Sequence, residues 1–309
     1  MNLKELLQYY KEELAGIYDE QETIAIFDLL VAHVSGFSRR ELLLKGISTE
    51  VQDEFTLLNY LTDLKRGKPV QYVLGETVFF GLRFLINSNV LIPRPETEEL
   101  VEWVIESCEG LKSIKIVDIG TGSGCIAISL KKNISGSTVL GVDISKEALE
   151  TAKANALSNE VDVKFFQGDV LDSAFYLKNL LVSGGNSLIN NKINDDSDGV
   201  QSKPTKFDVV VSNPPYITPR EKLKMHQNVM DYEPHLALFV SEEKPLVFYE
   251  AIADFAKARL KLHGLLFFEI NEHLGEETVA MLNNKSFVNI ELRKDMQGKN
   301  RMIRCSLGS

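Results

Sequence analysis

Residues 114–133 read IKIVDIGTGSGCIAISLKKN: an apolar, β-branched run that ends on an acid, a cluster of glycines, and then a segment with helical spacing. The run IKIVDI lacks the polar alternation of a half-exposed strand, which predicts a strand buried on both faces of a parallel sheet. Gly120, Gly122 and Gly124 occupy alternate positions in the turn. Glycines there let the chain reverse sharply and approach a ligand, while the following helix offers unpaired N–H groups. The spacing is G-x-G-x-G with Cys125 next, so the dinucleotide pattern G-x-G-x-x-G lacks its third glycine.

Working outward, the strand–helix alternation continues. TVLGVDI precedes SKEALETAKANALSN, then come the strands VDVKFFQGDV and KFDVVVSNPP. PLVFYEAIADFAKARLKLHG reads as a helix opened by proline and closed by glycine, followed by the strand GLLFFEI. The tail SFVNIELRKDM, GKN, RMIRCSL reads as an antiparallel hairpin. Such units predict an α/β sheet, mostly parallel and covered on both faces, with one reversed strand. The stretch 177–206, rich in Asn, Ser, Asp and Gly, is expected to be a mobile surface insert.

Upstream, residues 94–110 read as a helix opened by proline, with acids in its first turn, and closed by Gly110. Residues 68–93 are aromatic and β-branched with Gly75 and Gly81 as punctuation, which predicts a hairpin linker. Residues 1–67 repeat apolar positions at spacings of three and four, with Gly36 and Gly67 as stops, and predict a small helical bundle domain. The third unit is then 94–309.

Composition bounds the function. The 309 residues are 44% apolar and 25% charged with net charge -10, which repels a phosphate backbone rather than collecting it. No apolar run reaches the roughly 18 residues of a spanning helix, and MNLKELLQYYKEEL places charges where a leader would be apolar, so no membrane and a cytoplasmic location are expected. Cys108, Cys125 and Cys305 are widely spaced and read as buried apolar residues. Five scattered histidines give no metal site, and His235 reads as structural.

Three acids mark a ligand site. Asp118 precedes the glycine loop; Asp143 ends the next strand, where an acid can accept ribose hydroxyls; Asp169, beside Val170, ends the third and can accept from an adenine amino group. Each alone is equally a helix cap. Together, at the switch point of an open sheet, they favour an adenosine ligand.

This pattern resembles the class I S-adenosylmethionine-dependent methyltransferases over residues 110–309. The resemblance implies a Rossmann-like sheet of seven strands with only the last antiparallel, and S-adenosyl-L-methionine as cofactor. It implies Asp118, Gly120, Thr121, Gly122, Ser123, Gly124, Asp143, Asp169, Val170 and Asn213 as cofactor residues, with Asp118 relating to the methionine amino group.

Asn213-Pro214-Pro215-Tyr216 follows the strand FDVVVS. Consecutive prolines donate no backbone hydrogen bonds and hold the chain extended, so their carbonyls stay free and fixed in direction. A planar NH2 group placed there donates one hydrogen to the Asn213 side-chain oxygen and the other to the Pro214 carbonyl, with Tyr216 stacked on one face. Attack by such a nitrogen on a sulfonium methyl moves positive charge onto it, and two fixed acceptors stabilise that charge. No base is needed before transfer. The motif resembles the signature of amino-methyltransferases acting on exocyclic amines of adenine or cytosine, or on glutamine amides.

Gly67-Lys-Pro-Val-Gln-Tyr72-Val-Leu-Gly75, Leu91-Ile-Pro93-Arg94-Pro95-Glu96-Thr97-Glu98, Tyr232-Glu233-Pro234-His235 and the ending Gly298-Lys-Asn-Arg301 extend the resemblance to the whole chain. They are similar to the peptide chain release factor N5-glutamine methyltransferases, the HemK/PrmC family. The resemblance implies methylation of the Gly-Gly-Gln glutamine in class 1 release factors by Asn213, Pro214 and Tyr216. Pro215, Arg94 and Glu96 are expected beside the substrate; Arg94, Glu96, Thr97 and Glu98 read equally as residues that close the active site or meet the substrate loop and as a helix start. A monomer is expected. The rival readings are a nucleic-acid adenine methyltransferase, a non-catalytic binding protein and a nicotinamide oxidoreductase.

Overall fold

The computed structural model describes residues 1–37, 41, 53–172, 205–222, 225 and 227–308. The stretch expected to be a mobile insert lies outside the described residues except for its last two positions.

Helices α1 (Leu3–Leu14), α2 (Glu20–Ser35) and α3 (Glu54–Lys65) each start at a side-chain acceptor, Asn2, Asp19 and Asp53, which takes the N–H three residues on. Gly36 ends α2 in the left-handed region at φ 70°. The inner faces meet in a core of their own built on Leu6, Tyr10, Leu14, Phe27, Leu30 and Leu61.

The segment read as a hairpin opens instead with one helical turn, α4 (Val70–Leu74), between Pro69 and Gly75. Five residues are too few for a helical period to show against β-branched composition. Val70, Val73 and Leu74 pack on the helical core. Strands β1 (Glu76–Phe79) and β2 (Leu82–Leu85) then pair antiparallel. Phe80 and Gly81 between them have φ of 49° and 72°, the left-handed turn that matches strand twist.

The remaining elements in order are α5 (Pro95–Ser107), β3 (Lys115–Ile119), α6 (Cys125–Asn133), β4 (Thr138–Asp143), α7 (Lys146–Ser158), β5 (Val163–Gln167) and β6 (Phe207–Ser212). Three short helices follow, α8 (Pro219–Lys222), α9 (Gln227–Tyr232) and α10 (His235–Leu238). Then come α11 (Val247–Arg259), β7 (Leu260–Glu269), α12 (Gly275–Asn284), β8 (Phe287–Lys294) and β9 (Asn300–Leu307). The sheet has seven strands in the order β5-β4-β3-β6-β7-β9-β8. Pairings from β5 to β7 are parallel, and β9 runs against both β7 and β8. The reversed strand is thus the last of those described, but it lies inside the sheet with β8 at the edge.

The core that each valine faces alternates along β6. Val209 and Val211 face one core with Trp103, Val104 and Ile126, while Val210 faces the other with Tyr249, Phe255 and Phe268. An unbroken apolar strand therefore serves two cores, each fully buried side chain contributing about 1.5 to 3 kcal/mol.

Two expectations change. Helix α11 stops at Arg259, and β7 begins at once, so Gly264 is not a helix stop but a strand residue. A Cβ there would stand 3.0 Å from Leu260 Cδ2 and from the Lys261 carbonyl oxygen, at a point where the β6–β7 register shifts. Helix α12, GEETVAMLNN, went unread because it starts on glycine with no side-chain cap.

Candidate active site

Strand β3 has β4 on one side and β6 on the other, so the strand order reverses beside it, which opens a crevice at the strand carboxyl ends. A cleft of about 300 Å³ lies there, lined by Gly120, Thr121, Gly122, Ser123, Asp143, Asp169, Val170, Asn213, Pro214, Pro215 and Arg94. The glycine loop is tied to β4, because Gly120 and Thr121 both donate to the Val142 carbonyl at 2.8 and 2.9 Å. Gly122, at φ 53°, has no heavy atom within 4 Å of where a Cβ would stand. Gly124 has a different task. A Cβ on it would meet Ile128 Cδ1 at 2.9 Å and Ala152 Cβ at 3.2 Å, so its bareness lets α6 approach α7.

Asp143 Oδ2 accepts from the Gly122 N–H at 2.8 Å, and Oδ1 accepts from the Ser145 N–H at 2.9 Å. Burial raises its pKa and these backbone donors oppose the rise. Asp169 Oδ1 accepts from the Leu171 N–H at 2.8 Å, turning the chain after β5.

Asp118 does not line the cleft. It is fully buried one layer behind the loop, where Thr121 Oγ1 donates to its Oδ2 at 2.6 Å. Its Oδ1 has no hydrogen-bond partner of ordinary geometry, the Ala127 N–H acting on the carboxyl only as a minor neighbour. Burial, with the nearby Asp143 charge adding to it, pushes the carboxyl up to about 7. Gly124 likewise packs behind the lining. Cys108 and Cys305 are buried as expected, but Cys125 is half-buried and faces the cleft, since position 125 opens helix α6.

A second cavity of about 180 Å³ is lined by Arg94, Asn213, Pro214, Tyr216, Val229 and Glu269 among others. It and the cleft share Leu91, Arg94, Asn213, Pro214 and Ala237, so the Asn213-Pro214 peptide stands at their junction. Tyr216 borders only the smaller cavity, with its hydroxyl donating to Glu269 Oε1 at 3.1 Å. Arg94 pairs with the buried Glu233, which also accepts from the Ile92 N–H at 3.2 Å. Glu96 lies elsewhere. It accepts from Gln297 Nε2 at 3.2 Å and lines neither cavity. Helix geometry separates it from Arg94, because positions two apart do not share a face.

Sequence reading overlooked two side chains. Glu269, at the end of β7, is buried and accepts from Thr97 Oγ1 at 2.6 Å. Asn155 on α7 donates to the carbonyls of Leu85 and Ser123 at 2.9 Å each, tying the β1–β2 hairpin to the glycine loop. An acid closing the apolar run GLLFFE was a legible signal for Glu269; nothing local marked Asn155.

Comparison with known proteins agrees with this geometry. A PrmC N-terminal domain model matches residues 5–75 and a Methyltransferase small domain model residues 97–183. A release factor glutamine methyltransferase of Flavobacterium psychrophilum is 42% identical, covering 98% of this chain and 99% of that protein. One of Bacteroides thetaiotaomicron is 35% identical, covering 97% and 99%. The solved release factor-specific protein-(glutamine-N5) methyltransferase of Alicyclobacillus acidocaldarius aligns at 21% identity and TM-score 0.40, covering 73% of this chain and 100% of that one. On the 42% and 35% identities over nearly the full length of both chains, the chain belongs to the release factor glutamine methyltransferase family.

Proposed function

We propose that the protein transfers a methyl group from S-adenosyl-L-methionine to the side-chain amide nitrogen of the glutamine in the Gly-Gly-Gln loop of class 1 peptide chain release factors. The observation that carries this reading is the junction of the two cavities at Asn213-Pro214. A cofactor in the larger and a planar amide in the smaller would meet beside that peptide. The cleft fits the cofactor on two counts: a bare Gly122 and the strand-end carboxylates of Asp143 and Asp169.

When bound, S-adenosylmethionine supplies an electrophilic sulfonium methyl. The chain's own residues do the rest. Asn213 Oδ1 and the Pro214 carbonyl accept the two amide hydrogens of the glutamine and turn its nitrogen toward the cleft. As that nitrogen gains a substituent and positive charge, the two acceptors stabilise it, and fixed alignment accounts for roughly 7 to 11 kcal/mol of barrier reduction. The extra proton becomes acidic only after transfer and leaves to solvent. In this reading Asp143 accepts from the ribose hydroxyls and Asp169 from an adenine amino group, and both line the cleft.

The direct experiment is reaction with a release factor followed by mass spectrometry. A gain of about 14 Da on the Gly-Gly-Gln glutamine is expected. Labelling of a Gly-Gly-Ala substrate would contradict the assignment.

A further inference from the structure

Asn213 works as an acceptor only if its amide is turned the right way, and nothing in the Asn-Pro-Pro-Tyr motif itself decides that. An amide rotated by half a turn presents NH2 to the substrate, a donor facing donors. The surroundings carry the decision. Asn213 contacts Thr97 Oγ1 at 3.2 Å, and Thr97 Oγ1 lies 2.6 Å from Glu269 Oε2. A hydroxyl has one hydrogen, and an ionised carboxylate only accepts. Thr97 must therefore spend its hydrogen on Glu269 and can only accept from Asn213. Its partner is then Nδ2, so Oδ1 points the other way.

We propose that Thr97, held by Glu269, is a positioning residue that fixes the flip of the Asn213 amide and so makes its oxygen, not its nitrogen, available to the substrate. This deepens the glutamine-amide reading above and rests on it. Two further features support it. Thr97, Asn213 and Glu269 come from α5, the end of β6 and the end of β7, so the chain of hydrogen bonds joins elements that the sheet holds rigidly. Glu269 is 1% exposed, and its other oxygen accepts from Tyr216, so one buried carboxylate orders both walls of the smaller cavity. Burial raises the Glu269 pKa and the Glu96 charge adds to the rise, while the Thr97 and Tyr216 hydroxyls and the Arg301 charge oppose it.

The test is steady-state kinetics with a Gly-Gly-Gln release factor, alongside cofactor titration, on full-length Thr97→Val and Thr97→Ser. Thr97→Val keeps the shape and removes the hydroxyl, and its kcat is expected to fall about 10- to 10²-fold, the scale of a misaligned reacting group, with cofactor Kd unchanged within about twofold. Thr97→Ser restores the hydroxyl and is expected to recover most of kcat. Wild-type kcat in Thr97→Val, or equal loss in both variants, overturns the proposal. If titration shows that Thr97→Val has lost the cofactor site, Thr97→Ala replaces it with the same two outcomes. Asn213→Ala separates the levels: if it alone keeps full activity, the acceptor reading fails; if it is inactive while Thr97→Val is not, only the lock fails.

Discussion

At the residue scale, the site depends on carboxylates whose environments differ. Asp118 is the extreme. Its folded pKa of about 7 lies above its ordinary 3.8, so the folded protein holds a proton that the unfolded chain gives up. For an acid raised in this way, the group's contribution to stability is greatest below the ordinary value and declines as pH rises from about 4 to about 7. The unliganded protein should therefore lose thermal stability across that interval more steeply than Asp118→Asn does, measured by paired melts at each pH. Asn213→Ala should lower turnover by roughly 10² to 10³, by analogy with loss of one preorganised polar partner; unaltered turnover would refute the acceptor role. Most of these residues were legible because three strand-end acids, each alone equally a helix cap, fall together with a glycine loop and paired prolines. Thr97 was weighed only as active-site closure against a helix start and Glu269 had no reading, because their link lies in a hydrogen bond across 172 positions of sequence.

At the element scale, the glycine loop shows how one residue type serves unlike ends. Gly122 leaves space beside the cleft, whereas Gly124 lets two helices touch. Gly124→Ala would force a methyl against Ile128 and Ala152 at φ 82° and should destabilise by about 1 to 3 kcal/mol. Chemical denaturation measures this; a change below a few tenths would mean that α6 and α7 adjust freely. The strands were readable from period and composition, since unbroken β-branched runs bury both faces. The single turn α4, the three short helices after Tyr216 and the glycine-started α12 were not, because pieces of that length or capping carry too little pattern.

At the scale of the whole molecule, the helical unit and the catalytic sheet are joined close to the site. Tyr232, at the end of α9, donates to the Arg66 carbonyl at 2.8 Å, while Val229 on the same helix lines the smaller cavity. The net charge of -10 predicts that DNA and RNA are not methylated when no release factor is present, which a labelled-cofactor assay on both checks. Charge and the order of units were visible in composition and punctuation. The placement of β9 was not, because a hairpin reads the same whichever of its strands docks inward.

That placement bears on how the molecule assembles. Since β9 lies between β7 and β8, β8 has no partner until residues 300–307 have been made and threaded into the gap. During synthesis, a chain lacking them would leave β7 with a bare edge. It would also lack Arg301, whose charge favours the ionised form of Glu269. Nascent protein should thus stay open, sticky and inactive until its last strand arrives, and a nonsense truncation before Asn300 should yield aggregates rather than a weakened enzyme.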